Sequence, residues 1–363
     1  VSDEVAHLSA GYSYLKYHDY RLNPEHPPFA KQLGAFPLLF MNLKFGMDTS
    51  AWQSAEKWWL GRSFLYTMGN PAQRIIFVSR SIIILMGLFF SVFLFFTVKQ
   101  LWGLTAALAA VFFYVFSPEI LAHSALVNTD FSGACFFFIF FTLLHRVFVT
   151  GSAKTLVFTG LAGGLALISK FSMIQILPLF YFYSFILSFF GNEKLPAIRF
   201  PWWILALITV FIVWHKTSAL IFAAPLLFGW GLILKPNFRL YKNIKINQAM
   251  TVLLLLLSLT FLIVALDYLE PAFWLHKFRP FKRFFRGWVI YRDHAKNLQH
   301  PGFLFGQTSN HGWRYYYLVA LLVKIPAPIL IFGFWGIVSV LRDKAWTRWQ
   351  WLFFILPCAL FFF

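Results

Sequence analysis

Polar and apolar positions are unevenly spread along this chain. From residue 75 onward, apolar runs alternate with short polar breaks, over 75–98, 101–117, 131–149, 155–169, 171–190, 201–214, 217–234, 250–266, 316–341 and 349–363. Several reach the roughly 17–25 residues a helix needs to cross a bilayer, so the pattern predicts an all-α polytopic membrane protein. Two stretches interrupt it. Residues 1–74 mix polar and apolar positions with no clean span, and residues 267–315 are polar and rich in aromatic and basic side chains. The predicted organisation is a first loop over 1–74, a helix bundle over 75–266, a second long loop over 267–315 and terminal helices over 316–363. The chain opens on Val1 and stops within the apolar run ALFFF, so a preceding helix and further following helices are expected.

Composition sharpens this picture. Charged residues make up 12% of the chain, against about 25% in soluble domains, too few to solvate an ordinary surface. The net charge of +18 would suggest nucleic acid in a soluble protein. Here Lys and Arg flank apolar runs and suit anionic headgroups, so membrane lipids are the expected partner and nucleic acid is not. Five alternate connections (VKQ, HRVFVTGSAK, NEKLPAIR, KPNFRLYKNIKIN and RDKAWTRW) hold twelve Lys and Arg, whereas those around 118–130, 170 and 215–216 hold two. The positive-inside rule puts the first set in the cytoplasm and both long loops on the outer side. Cys135 and Cys358 lie in apolar runs and form no metal or disulfide pattern. There is no glycine-rich phosphate loop and no HExxH. The sequence thus requires no cofactor, and no motif supports a divalent metal.

Candidate chemistry gathers at the outer boundary. Asp3 and Glu4 open the chain, and Asp3 and His7, four apart, share a face if this stretch is helical; the alternative is a solvated loop. In NPEHPP, prolines hold Glu25 and His26 on a stiff, non-helical segment. From Pro28 onward a helix lying in the membrane interface is expected. Asp130 stands at the outer mouth of a span, where an acid is either functional or a helix cap. Lys170 sits on the outer side against the charge bias, as an anion contact or a snorkelling lysine. His311, Arg314 and Lys324 lie at and just inside the last long span.

The segments DEVAH…GYSYL…DYRLNPEHPPFAK, HSALVNTDFSG and PGFLFGQTSNHGWRYYYLVALLVKIPAP resemble the GT-C superfamily of polyprenyl-phosphate-dependent glycosyltransferases. The likeness is to the bacterial protein O-mannosyltransferase and lipid A aminoarabinose transferase group. The resemblance implies a GT-C bundle with two long outer loops carrying short interfacial helices, in a bacterial inner membrane with its site on the periplasmic side. It implies that Asp3 is the catalytic carboxylate, that Glu25 and Asp130 line the same cavity, and that Lys170 lies near the lipid phosphate. Where relatives often carry Lys after the glutamate this chain has His26, and Ala6 stands near a position that is often basic.

The expected reaction moves a sugar from a polyprenyl-phosphate donor to a protein, lipid or glycan acceptor, with inversion. Asp3 acts as base; Glu4, Glu25 and Asp130 orient sugar or acceptor; Lys170 and His26 contact the phosphate. His7, His311, Arg314 and Lys324 are further binding candidates. The rival is a lipid-linked sugar flippase or other transporter, but transporters bind near the bilayer midplane, whereas these charges gather at the outer boundary.

Overall fold

A computed structural model describes residues 2–150, 152–176, 280–296, 302–309, 312–313 and 315–342. The described residues form two compact units, one of 2–132 with 287–342 and one of 133–176 with 280–286. The expected spans at 201–214, 217–234, 250–266 and 349–363 lie outside the described residues, as does most of 171–190.

The first unit is built on α1 (Ser2–Tyr17), whose first turn carries Asp3 and Glu4 and whose last carries Lys16, the charge order a helix dipole favours. His18, at φ 54°, turns the chain out of the helix in the left-handed conformation common at helix ends. An irregular segment follows as far as Pro28. There α2 (Phe29–Ala35) starts, and it passes into a 3-10 turn over Phe36–Phe40. Gly11 lets α1 and α2 touch, since a Cβ there would lie 2.1 Å from the Lys31 carbonyl oxygen. The short helices α3 (Ser50–Gln53) and α4 (Lys57–Arg62) are capped by Thr49 and Glu56, whose side chains accept from Trp52 and Trp58 N–H. Ala10, Tyr14, Leu22, Ala51, Trp52 and Leu60 form the core between these pieces. At Gly61, α4 meets α1 backbone to backbone, because a Cβ would fall 2.3 Å from the Val5 carbonyl oxygen.

The runs expected at 75–98 and 101–117 form one 44-residue stretch, α5 (Ala72–Val115), broken at Gly103 (φ 87°, ψ 179°). Straight, it would measure about 66 Å, twice a bilayer's hydrocarbon core. It is instead a hairpin: the Tyr114 hydroxyl donates to the Gly87 carbonyl at 3.0 Å, and the Phe90 and Tyr114 rings lie 5.4 Å apart. Next come α6 (Pro118–Ser124) and α7 (Thr129–Thr150).

In the second unit, α7 is followed by α8 (Ala153–Ser169), capped by Ser152, and a 3-10 turn over Phe171–Gln175. Phe171 packs edge to face on Phe284 at 5.2 Å, a residue of α9 (Pro280–Lys296).

Strands β1 (Gly302–Leu304) and β2 (Gln307–Ser309) form an antiparallel hairpin. Its turn residues, Phe305 and Gly306, both have positive φ, the pattern that fits the strand twist. The single span expected over 316–341 is two helices, α10 (Tyr316–Lys324) and α11 (Ala327–Arg342), bent by 112°. Pro326 explains the break: it has no N–H to donate and biases Ile325 to extended geometry, and Ile325 has ψ 131°.

Ala72–Val115 and Thr129–Val147 are long and apolar enough to cross a membrane, and the bent α10–α11 pair is a third if it counts as one span. The protein is an all-α membrane protein, as its apolar pattern predicts.

Candidate functional site

The proline-rich segment is wrapped around a buried lysine. Lys31, fully buried on α2, donates to the Asn23 carbonyl at 2.7 Å, the Asn23 side chain at 3.1 Å, the His26 carbonyl at 2.7 Å and the Tyr14 hydroxyl at 3.0 Å. Its ammonium also lies 5.0 Å from the Tyr14 ring centre. Asn23 takes φ 50°, a left-handed conformation that asparagine tolerates well. The carbonyls of residues 23 and 26 therefore converge on one charge, and Glu25 is fixed between them. Lys31 is absent from the sequence-based candidates because two of its partners are backbone carbonyls and the others are uncharged side chains, which no motif displays.

A second constellation joins α1 to the connection before α7. Both carboxylate oxygens of Glu4 are engaged. Arg80 Nε donates to Oε1 at 3.0 Å, an Arg80 terminal nitrogen donates to Oε2 at 2.5 Å, and the Val127 N–H donates to Oε1 at 3.1 Å. One turn on, His7 Nδ1 lies 2.8 Å from the Val127 carbonyl oxygen. A carbonyl only accepts, so Nδ1 carries the proton and Nε2 the lone pair. Two side chains of α1 thus hold both backbone polar groups of one residue. The Val127 side chain in turn fills the space left by Gly34, where a Cβ would sit 2.5 Å from Cγ1.

This clamp brings the first turn of α7 to the first turn of α1. Burial, reinforced by the Lys31 charge, pushes the His7 imidazole down to about 4, against the opposing pull of the Val127 hydrogen bond, Asp3 and Asp130. Both of those carboxylates act on His7, and both are exposed. The His26 ring stands edge-on to His7 at 5.7 Å. Helix capping falls to Asn128, whose side chain accepts from the Phe131 N–H at 3.1 Å, and Asp130 stands beside it in the first turn.

Lys57 is a further cation absent from the sequence-based candidates. Its ammonium forms an ion pair with the buried Glu25 carboxylate. Burial lowers the Lys57 pKa, and Asp3 acts in the opposite sense. In sequence, Lys57 looks like an ordinary basic residue in a tryptophan-rich stretch, AEKWW; its partners are 32 and 54 positions away.

Lys170 belongs to the second unit, closes α8 in extended geometry and lies against Gly133. Lys324 is at the end of α10 rather than inside a continuous span, exposed and 3.8 Å from Glu119. His311 and Arg314 lie outside the described residues. Among the described residues, no three His, Cys, Asp or Glu side chains converge as a metal cage.

Residues 57–188 match the family model described as dolichyl-phosphate-mannose-protein mannosyltransferase. The match implies a membrane glycosyltransferase of the GT-C type that takes its sugar from a polyprenyl-phosphate donor. It takes in Lys57, Arg80, Val127, Asp130 and Lys170, while Asp3, Glu4 and Glu25 precede it. No curated protein and no solved structure matches the chain.

Proposed function

We propose that this GT-C-type membrane glycosyltransferase transfers a mannosyl or related residue from a polyprenyl-phosphate to a protein, lipid or glycan acceptor at the outer face of a bacterial inner membrane. Asp3 takes the acceptor's proton. The freed oxygen or nitrogen bonds to the anomeric carbon, and the carbon–oxygen bond to phosphate breaks with inversion, its electron pair leaving with the phosphate. Fixed cations stabilise that departing charge in a water-poor setting. The observation that carries this reading is the Val127 clamp. It joins the two exposed acids, Asp3 and Asp130, at the heads of their helices beside a His7 of fixed tautomer. An acid that must meet a substrate has to be accessible, and Asp3 is, whereas Glu4 has both oxygens engaged.

The test is sugar transfer by the full-length protein in lipid vesicles, with radiolabelled polyprenyl-phosphate mannose and an acceptor extract. Asp3→Asn keeps the shape of the side chain but cannot take a proton, so turnover falls by about 10²–10⁴-fold. Donor binding changes little, because the lost interaction belongs to the transition state. Wild-type turnover from Asp3→Asn would remove Asp3 as the base. Donor movement across the vesicle without any transfer product would make the protein a transporter.

A further inference from the structure

We infer that Lys57 is a positioning residue of this site, a cation shared between Glu25 and Asp3 that holds the proline-braced loop to the first turn of α1. The inference rests on the reading of Asp3 and Glu25 as parts of one site and adds a member from a third segment. Three observations place Lys57 there. Its ammonium pairs with Glu25, and the two side chains are only 20% and 9% exposed. Asp3 acts on the same ammonium. The third observation is the seat of α4. Residues 57 and 61 are one helical turn apart and share a face, and at Gly61 that face touches the Val5 carbonyl. The contact leaves no room for a side chain, so α4 rides directly on the N-terminal part of α1, two residues from Asp3.

The surrounding charges make this lysine consequential. Glu4 is neutralised by Arg80. Lys31 is enclosed by Asn23, His26 and Tyr14 oxygens. His7 is held neutral by its burial, and His26 stands edge-on to it. Lys57 pairs with the buried Glu25, and the Asp3 charge acts on the same ammonium. Without it, Glu25 would be a buried carboxylate with its partner removed, and the stiff 23–28 segment would lose its tie to α1. A displacement of the order of 1 Å at a reacting group can reduce turnover about 100-fold.

The experiment uses the full-length protein in vesicles with the same donor and acceptor. Lys57→Met should lower kcat by about 10–100-fold while donor KM moves less than about threefold, since a positioning residue acts on geometry at the reacting centre. Lys57→Arg should recover at least a third of the lost turnover. In a Glu25→Gln background, Lys57→Met should add less than about threefold, because residues that act as a pair are not additive. Unchanged kcat in Lys57→Met, or the full loss repeated in the Glu25→Gln background, overturns the inference. A thermal midpoint for each variant separates lost turnover from lost folding. A carbodiimide, which turns contacting ammonium–carboxylate pairs into amides, gives a readout that needs no activity. Peptide mass mapping should find Lys57 joined to Glu25 and, in a second population, to Asp3; absence of either product overturns the bridge. A wild-type protein that transfers no sugar but yields both cross-links would strike the functional reading and leave the bridge standing.

Discussion

His7 has one nitrogen committed to a carbonyl and a ring pushed down to about 4 by burial and by the Lys31 charge. In the unfolded chain it titrates near its ordinary 6.5, so between those values the unfolded state binds more protons. Stability is therefore fully present above about pH 6.5 and declines as pH falls towards 4. The shift corresponds to roughly 3 kcal/mol at most. Thermal unfolding in detergent between pH 7.5 and 4.5 should show this decline, and His7→Gln, which still offers an N–H to Val127, should show a shallower one. Parallel slopes for the two proteins would refute it. That Asp3 and His7 lie on one face of α1 was legible from their spacing of four. The engagement of Glu4 was not, because its partners are Arg80 and a backbone N–H at 127. The same holds for Lys31 and Lys57, whose roles depend on atoms that the linear pattern hides.

Elements were legible where the apolar pattern is long, and less so at single breaking residues. Helix α7 and most of α8 follow their apolar runs closely, while the α10–α11 break was hidden because IPAP lies in an otherwise unbroken apolar run. Gly103 shows how one residue decides an element. Its φ 87°, ψ 179° belong to a region essentially restricted to glycine, costing other residues of order 1–3 kcal/mol. Gly103→Val should open the α5 hairpin. A Phe90→Cys/Tyr114→Cys pair should oxidise to a disulfide with glycine at 103 and fail to do so with valine. Cross-linking of equal yield in both backgrounds would show that the turn is held by packing alone.

At the scale of the whole molecule, membrane residence was the most legible property, since it follows from how few charges the chain has to cover its surface. Sidedness rests on the distribution of Lys and Arg among short connections. A cysteine at Ser54, which is exposed, should react with an impermeant thiol reagent in intact cells, and one at Asn243 should stay silent until the membrane is opened. Labelling of 243 without 54 would invert the orientation and move the Asp3 site to the cytoplasm. The candidate site was only partly legible. Its acids stand out in the polar stretches that interrupt the apolar pattern, but the framework that gathers them comes from four stretches of one unit, around residues 4, 25, 57 and 127.

The clamp on Val127 also sets a timetable. Glu4 and His7 must wait for a residue 123 and 120 positions later, and at about 5–20 residues per second that is roughly 6–25 s of synthesis. Arg80 arrives sooner, 76 positions on, so Glu4 gains its charge partner first and its peptide partner last. Between the two events the rest of α5 is synthesised. A nascent chain therefore cannot bring the first turn of α7 to the first turn of α1 before the whole of α5 has been made.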